Sequence, residues 1–370
     1  MGLPACFDGR RHRGPGGVRR EEGVIVISGR DNFRRSIEFE DPRYLPSYFD
    51  CDLDWLRDKD ARKRRTVEEL KSRIPDDILG FLWCWKNEAP PEKHGGQTSW
   101  TDEWKVGWID SGFGARVASH PLQGGYHLLE GFRFPDPHSE DRFEDADAQL
   151  AARAERYVLA TVWFTLFERM WMLRGFDNIL TDPYTDMKGF CYLRDRIVET
   201  NLAMIDRWLE RDVDGIFFSD DWGSQRALLI SPEDWRRLYR PSYERMFARV
   251  RDGGAHVWMH LCGNIQSILP DLVEIGLDVL NPVQPQAMDV RELARDFGGE
   301  LCFFGGVDVQ QTLTIGTPED VKEEFRDLVE LFGTYDGGYI AGTSHSIMPE
   351  TPLDNVIALY EAVLEYAEPS

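Results

Sequence analysis

Short apolar segments alternate with helical patterns along the chain, and this rhythm constrains the fold more than any other feature. The eight predicted strands are residues 44–49, 78–85, 157–162, 215–218, 257–260, 279–281, 301–304 and 339–341. Repeated strand–helix units favour a closed parallel barrel, and no Gly-x-Gly-x-x-Gly segment follows the first strand to favour an open dinucleotide-binding sheet. We therefore predict an α/β fold, a single (β/α)8 barrel.

Two segments depart from this rhythm. Residues 1–29 are rich in Gly and Arg and lack apolar periodicity, which predicts a loose N-terminal extension before a barrel over residues 30–370. Residues 100–122 carry short alternating segments between Gly-containing turns, and this pattern predicts an inserted β-hairpin or meander. A helix over 66–74 is expected to begin at Thr66, because Glu69 completes a capping-box pattern.

Charge and composition narrow the expected partners. The 65 acidic and 43 basic side chains give a net charge of -22, which repels phosphate backbones, so nucleic acid is not an expected partner. No apolar run approaches the roughly 20 residues of a membrane-spanning helix, so we expect no membrane span. Scattered cysteines without a recognisable secretory signal predict reduced thiols and a cytoplasmic location.

The stretch 255–264 carries the strongest indication of chemistry. His260 and Cys262 stand at the end of a buried apolar segment, and residues two apart in an extended chain point the same way. An imidazole and a thiolate at this spacing can hold a zinc ion. A hydrogen-bonded strand-end histidine beside a buried cysteine explains the same pattern without a metal.

In a parallel barrel the carboxyl ends of the strands share one face, so chemistry is expected there. His345 follows the last strand and could reach an ion held by His260 and Cys262, leaving a fourth position open. Asp220 or Asp221 could add a ligand or orient an imidazole, although Asp221 could simply cap a turn. With these two aspartates, Glu168 is a candidate catalytic group, unless it only pairs with a neighbouring arginine. The candidate substrate contacts are Trp85, Trp163, Phe164, Asn281, Gln284 and Asp308.

Four stretches carry a resemblance to a known family. They are Asp-Gly-Ile-Phe-Phe-Ser-Asp-Asp-Trp-Gly at 214–223, His-x-Cys-Gly-Asn at 260–264, Phe-Gly-Gly-Val-Asp at 304–308, and Gly-x-x-His-x-Ile-x-Pro-x-Thr-Pro-x-x-Asn at 342–355. Together they resemble the uroporphyrinogen decarboxylase superfamily over roughly residues 31–366. The resemblance implies a single (β/α)8 barrel, which often forms homodimers. It also implies one of two chemistries, porphyrinogen decarboxylation or zinc-dependent methyl transfer between a corrinoid protein and a thiol such as coenzyme M.

The motifs favour the second chemistry. The decarboxylases carry Arg-Gln-x-Gly-Arg after the first strand and a catalytic Asp after the second, whereas this chain has Asp52 and Asp54 after the first and tryptophans after the second. Acidic and aromatic groups do not neutralise a polycarboxylate. The methyltransferases are similar in having His-x-Cys, matched by His260 and Cys262. They have a cysteine where this chain has His345.

The resemblance therefore implies a zinc methyltransferase. It would move a methyl group between a corrinoid, free or on a partner protein, and a thiol or other small-molecule acceptor, as in a demethylation pathway. The alternatives are a carboxy-lyase acting on a smaller substrate, with His345 and an aspartate as acid and base, and a non-catalytic barrel that docks a corrinoid protein. Trp83, Trp85, Trp163 and Phe164 suit an apolar group or the face of a corrin ring, so we expect no decarboxylation of uroporphyrinogen.

Overall fold

The computed structural model describes residues 19–21, 24–112 and 114–367. The strands are β1 (Arg19–Glu21), β2 (Val24–Val26), β3 (Ile78–Leu82), β4 (Glu92–His94), β5 (Gln97–Thr101), β6 (Gly107–Asp110), β7 (Ala115–Ser119), β8 (Tyr157–Val162), β9 (Gly215–Ser219), β10 (His256–His260), β11 (Val279–Val283), β12 (Cys302–Val307) and β13 (Tyr339–Thr343). The α-helices are α1 (Gly29–Glu38), α2 (Ala61–Lys71), α3 (Glu144–Leu150), α4 (Phe167–Arg174), α5 (Phe176–Thr185), α6 (Met187–Leu209), α7 (Pro232–Leu238), α8 (Arg240–Asp252), α9 (Leu269–Glu274), α10 (Val290–Phe297), α11 (Thr312–Ile315), α12 (Pro318–Phe332) and α13 (Leu353–Leu364).

The N-terminal segment is only partly described. Of the predicted extension over 1–29, residues 1–18 and 22–23 lie outside the described residues. Strands β1 and β2 pair antiparallel, and α1 begins at Gly29 after its N-cap Ser28, whose hydroxyl accepts a hydrogen bond from the Asp31 amide. Ordered structure in the described part of the chain thus starts before the barrel.

A seven-stranded parallel sheet forms the centre of the fold. Its strand order in space is β13-β12-β11-β10-β9-β8-β3. The strands of this sheet therefore lie side by side in the order in which they occur along the chain. This arrangement is a curled, TIM-barrel-like α/β sheet. Seven of the predicted strands are confirmed, with ends that differ by at most three residues from those predicted.

The predicted first strand over 44–49 is wrong as an extended sheet strand. In the described chain this segment makes a single parallel bridge, between Ser47 and Ala341 on β13. Two backbone hydrogen bonds flank it, from the Tyr48 amide to the Ala341 carbonyl (2.9 Å) and from the Ala341 amide to the Pro46 carbonyl (2.9 Å). Pro46 has no amide hydrogen to donate, which limits pairing at this edge.

Large side chains fill the interior of the sheet. Strand residues that point inward include Leu159, Phe217, Trp258, Phe304 and Ile340, all almost inaccessible to solvent. Helix α1 covers one end of this core with Phe33 and Ile37. A second and larger core lies between the outer face of the sheet and the surrounding helices. Because the interior is packed, ligands can be expected only at the carboxyl ends of the strands.

Asp214, just before β9, fastens α1 to the sheet. Its carboxylate accepts hydrogen bonds from Arg30 Nε (2.8 Å) and Arg34 Nη1 (3.3 Å) and from the backbone amide of Val158 (3.0 Å). The Asp214 side chain is fully buried, whereas the two arginines are partly exposed. One carboxylate therefore joins α1, β8 and the segment that leads into β9.

Helix α2 begins five residues earlier than predicted. Asp60 is its N-cap, and one carboxylate oxygen accepts hydrogen bonds from the amides of Arg62 (2.9 Å) and Lys63 (3.1 Å). The Thr66 hydroxyl donates to the Arg62 carbonyl, a bond typical of threonine inside a helix. The predicted capping box at Thr66 is therefore wrong, because an aspartate further upstream caps the helix first.

A four-stranded antiparallel sheet, in the order β4-β5-β6-β7, lies in the region where a meander was predicted. Asp102 in the β5–β6 turn accepts hydrogen bonds from the Val106 amide (2.9 Å), from Trp108 Nε1 (3.0 Å) and from Arg169 Nη1 on α4 (3.1 Å). Trp104 is fully buried beneath the turn. This sheet, hereafter the insertion, is therefore fixed to the helix that follows β8.

Among the described residues no helix is both long enough and apolar enough to cross a membrane. The described cysteines are all free thiols, at positions Cys51, Cys84, Cys191, Cys262 and Cys302.

We predict that Asp214→Ala lowers the free energy of unfolding by about 2–4 kcal/mol, because it leaves two arginines and a buried amide without their shared acceptor. Urea denaturation followed by circular dichroism measures this. Glu199→Ala is the control, because Glu199 pairs with Arg245 in an exposed ion pair and its loss should change stability by no more than about 0.5 kcal/mol. Equal effects of the two substitutions would contradict the role assigned to Asp214.

Candidate metal centre

Three predicted ligands meet at the carboxyl ends of the strands. His260 is the last residue of β10, Cys262 follows two residues later, and His345 lies two residues beyond β13. One ligand atom from each side chain lies within 4.8 Å of the other two. His260 Nε2 is 3.2 Å from Cys262 Sγ, and the two imidazole rings have centroids 6.0 Å apart. These atoms are close enough for one ion to contact all three.

Asn281 sets the hydrogen-bonding state of His260. The parallel register of β10 and β11 pairs these two residues, and Asn281 Oδ1 lies 2.8 Å from His260 Nδ1. An amide oxygen only accepts, so Nδ1 carries the proton and Nε2 presents its lone pair towards Cys262. A histidine held in this way is suited to bind a metal through Nε2. The residues present therefore fit a zinc ion.

Cys262 lies among groups that disfavour its ionisation in the absence of a cation. Asp221 Oδ1 accepts the Cys262 amide hydrogen (2.9 Å) and is 3.7 Å from His260 Nε2. Burial first, and then the charge of Asp221, raise the pKa of the Cys262 thiol. A divalent cation between these groups would offset the carboxylate and favour the thiolate. Asp221 is thus placed where its prediction put it, next to the candidate ligands.

The turn after Cys262 requires glycine. Gly263 adopts φ 83°, and a Cβ atom there would lie 2.3 Å from the carbonyl oxygen of Gly223. The Gly223 amide in turn donates to the Cys262 carbonyl (3.1 Å). This close packing fixes the loop after β9 against the loop after β10, and so fixes Asp221 relative to Cys262.

His345 lies at the exposed rim of the cluster. Partial burial of the ring, and next the proximity of His260, lower its pKa, although Asp221 and Asp50 act in the opposite direction. A lowered pKa keeps the imidazole neutral near pH 7, which is the form that binds metals. The segment that carries it is held by Asp50, whose carboxylate accepts a hydrogen bond from the Ser346 hydroxyl (2.7 Å).

Asp220 and Glu168 are the other two candidate catalytic carboxylates, and Asp220 has a structural role. It is fully buried and accepts hydrogen bonds from the amides of Leu166 (2.7 Å) and Glu168 (2.7 Å) and from the Tyr243 hydroxyl (2.6 Å). These bonds cap the start of α4 and occupy both carboxylate oxygens. Asp220 was predicted as a catalytic group or a metal ligand, and these contacts assign it to the fold instead. Sequence reasoning did not identify Tyr243, and a tyrosine in the middle of α8 gives no signal of this contact.

Glu168 is a buried acid next to the cluster. Its carboxylate accepts a hydrogen bond from the Ser219 hydroxyl (3.0 Å). Burial, followed by the charges of Asp221 and Asp220, raises its pKa well above the ordinary value. A raised pKa favours the protonated carboxyl group, the form that can donate a proton. The neighbouring Arg169 pairs instead with Asp102 of the insertion.

Trp163 and Trp83 line the mouth beside His260. The centroid of Trp163 lies 5.6 Å from that of His260, and the same ring stacks on Phe217 at 5.6 Å. Trp83 packs on Trp163 at 5.3 Å and is 44% exposed. The predicted substrate contact Trp163 is therefore next to the candidate ligands, and Trp83 extends this aromatic wall towards solvent.

Trp85 and Phe164 instead pack against the insertion. The Arg169 guanidinium lies 5.0 Å from the Trp85 ring centre, 4.9 Å from that of Trp104 and 5.5 Å from that of Phe164. Phe164 also stacks on Trp108 of the insertion at 5.6 Å. We therefore reassign Trp85 and Phe164 from direct substrate contacts to the support of the mouth.

Asp308 and the two amides Asn281 and Gln284 also differ from their predicted use. Asp308 is buried and accepts hydrogen bonds from Gln286 Nε2 (2.8 Å) and the Gln310 amide (2.8 Å), so it organises the turns after β11 and β12. The side chains of Asn281 and Gln284 contact His260 and Cys262. None of the three is placed primarily as a substrate contact.

The fold and the cluster define an α/β barrel-like protein with a candidate metal centre at its strand ends. Comparison with known families is consistent with this class, since the model of the family "Uroporphyrinogen decarboxylase (URO-D)" matches residues 149–366, more than half of the chain. The chain belongs to the uroporphyrinogen decarboxylase family. The matched region contains all three candidate ligands.

Individual relatives carry both of the names expected for this family. The chain is 25% identical over 195 residues to a uroporphyrinogen decarboxylase of Christiangramia forsetii, covering 49% of this chain and 52% of the relative. It is 27% identical over 172 residues to the methylcobamide:CoM methyltransferase of Methanosarcina barkeri, covering 46% and 48%. The chain spans about half the length of the curated relatives it matches.

A solved structure supports the fold. A methyltransferase from Methanosarcina mazei superimposes with a TM-score of 0.65 at 16% sequence identity, covering 93% of this chain and all of that one. The likeness extends well beyond the half of the chain that aligns with the curated relatives in sequence, and it concerns the fold alone.

Glu324 lies next to Asp308, and its burial makes the stability of the chain depend on pH. Burial raises its pKa to about 7, although a hydrogen bond from the Asp308 amide (3.1 Å) acts in the opposite direction. With the folded pKa above the unfolded value, the folded chain holds a proton that the unfolded chain has already lost, so stability falls as pH rises from about 4.5 to 7. Glu324→Gln removes this loss while keeping an acceptor. Its Tm should exceed that of the wild type above pH 7 and converge with it near pH 4.

The exposed Glu323→Gln on the same helix is the control, and its Tm should follow the wild-type pH profile. A constant Tm difference between Glu324→Gln and the wild type from pH 4 to 9 would contradict the assignment.

Proposed function

We propose that this chain is a zinc-dependent methyltransferase that moves a methyl group between a corrinoid and a thiol or other acceptor. The observation that carries the proposal is the cluster of His260, Cys262 and His345, in which His260 Nε2 is left free to bind an ion. Similarity to the methylcobamide:CoM methyltransferase of Methanosarcina barkeri supports it. The corrinoid could arrive free or on a partner protein.

The chain's own residues supply binding, orientation and proton transfer. A zinc ion at the cluster would lower the pKa of an acceptor thiol and so favour its ionisation at neutral pH. Asp221 Oδ1 lies within 3.7 Å of His260 Nε2, where it can accept the proton that the thiol releases. The sulfur then bonds to the methyl carbon as the carbon–cobalt bond breaks, and the bonding electron pair stays on cobalt. Trp163 and Trp83 limit the access of water to this point.

The charge at the mouth does not favour uroporphyrinogen. Asp221 and Glu168 contribute carboxyl groups, and Trp163 and Trp83 contribute apolar surface. Arg169, the cation that follows Glu168, is buried and paired with Asp102. A substrate with many carboxylates needs free cations, so an apolar acceptor or a corrin ring is the better match.

A carboxy-lyase acting on a smaller substrate is the alternative. The raised pKa of buried Glu168 favours it, because a carboxyl group that keeps its proton can protonate the carbon left after carbon dioxide departs. Such an activity would not depend on Cys262, which separates it from methyl transfer.

Metal content and activity test the proposal together. The 370-residue chain, purified without chelator, should contain about one zinc ion, measured by inductively coupled plasma mass spectrometry. His260→Ala and Cys262→Ala should lose the metal, because each removes one of three ligands. Both should also lose transfer of methyl from methylcobalamin to coenzyme M, followed by the change in corrinoid absorbance. Cys191→Ala, at a free thiol on α6, is the control and should retain zinc and activity.

Absence of metal, together with carbon dioxide release from a carboxylated substrate that Cys262→Ala does not change, would contradict the proposal. It would favour the carboxy-lyase instead.

A further inference from the structure

Two amide side chains at the end of β11 contact the candidate ligands. Asn281 meets His260, and Gln284 meets Cys262. We propose that both are positioning residues of the metal centre, Asn281 by fixing which ring nitrogen of His260 faces the ion and Gln284 by donating a hydrogen bond to the sulfur of Cys262. This inference rests on the proposed function, since both residues act through the metal ligands.

The strand register determines the role of Asn281. Parallel pairing places it beside His260, and its carbonyl accepts the Leu261 amide hydrogen (2.7 Å), which holds the two strands together at this point. Its side chain is 8% exposed, so it has little freedom to rotate. The bond between Oδ1 and Nδ1 (2.8 Å) keeps the proton on Nδ1. With the proton on Nε2 instead, that nitrogen would have no lone pair to offer an ion beside Cys262.

A backbone donor determines the orientation of Gln284. The Gly263 amide donates to Gln284 Oε1 (2.6 Å), so the oxygen must face Gly263 and the NH₂ group must face the other way. Nε2 then lies 3.8 Å from Cys262 Sγ, within hydrogen-bonding range of a sulfur acceptor. An NH₂ group can only donate, so this contact stabilises a sulfur that carries negative charge.

A neighbouring glutamine shows that the arrangement is specific to Gln284. Gln286 lies in the same turn and is more exposed, and its Nε2 donates to Asp308 (2.8 Å). Replacement of Gln286 therefore changes the turn without removing a contact to Cys262. It serves as the matched control.

The first test is made on the metal-free chain. Two-dimensional nitrogen–proton NMR of the imidazole rings reports which nitrogen of each histidine is protonated, and His260→Ala identifies the His260 signals among the eight histidines. In the metal-free chain His260 should carry its proton on Nδ1. Asn281→Asp, which keeps an acceptor, should preserve this form, whereas Asn281→Leu should lose it. A wild-type proton on Nε2 would overturn the role of Asn281.

The second test measures the metal centre directly. Asn281→Leu should weaken zinc binding by about 10–100-fold in competition with a chromophoric chelator, and Asn281→Asp should restore most of the affinity. In the cobalt(II)-substituted chain, Gln284→Leu should move the sulfur-to-cobalt charge-transfer band to longer wavelength, because an unbonded sulfur gives up its electron more easily. Gln286→Leu should leave the band unchanged.

The outcomes separate this inference from the proposed function. If His260→Ala and Cys262→Ala bind zinc like the wild type, the metal centre itself is wrong. If those two lose zinc while Asn281→Leu retains full affinity and Gln284→Leu retains the wild-type spectrum, only the positioning roles are wrong. Should Asn281→Leu fail to fold, the wild-type tautomer and the Asn281→Asp variant still decide the case.

Discussion

The parallel register of β9, β10 and β11 is the constraint on which the candidate site depends. It places Ser219, His260 and Asn281 side by side in one row across three strands. Ser219 holds Glu168 through its hydroxyl, and Asn281 holds His260 through its amide oxygen. A shift of one residue in this pairing would turn the side chains to the opposite face of the sheet and dismantle the site.

The packed interior and the insertion determine the character of the mouth. Trp258 and Phe217 fill the sheet beneath His260, so the cluster rests on an apolar floor. The insertion holds Arg169 against Asp102, which removes a positive charge from the region beside Glu168. The mouth is therefore aromatic and acidic, and it surrounds a thiol and two imidazoles. This combination favours a metal ion with an apolar co-substrate over a polycarboxylate.

Sequence reasoning located seven of the eight predicted strands because short continuous apolar segments mark buried parallel strands. It brought His260, Cys262 and His345 together because carboxyl ends of parallel strands share one face. It could not separate Asp220 from Asp221, since adjacent residues point in opposite directions and only the position of α4 shows which one is buried.

Trp83 and Trp85 show a different limit of the sequence. Strict alternation would send residues two apart to the same side, but β3 has a register shift between Leu79 and Leu82, with Phe81 at φ 56°. Both tryptophans also lie beyond the last strand residue, Leu82, so strand alternation does not determine where they point. The predicted first strand is only a single bridge next to Pro46, which cannot donate a backbone hydrogen bond. The role of Asn281 could not be predicted because it depends on the pairing of this residue with His260.

Zinc K-edge X-ray absorption on the purified 370-residue chain tests the central claim most directly. The account predicts one sulfur ligand at about 2.3 Å and two imidazole nitrogens at about 2.0–2.1 Å, completed by an oxygen or nitrogen atom. His345→Ala should remove one imidazole contribution and leave the sulfur in place. A zinc shell without sulfur, or one that His345→Ala does not change, would contradict the account.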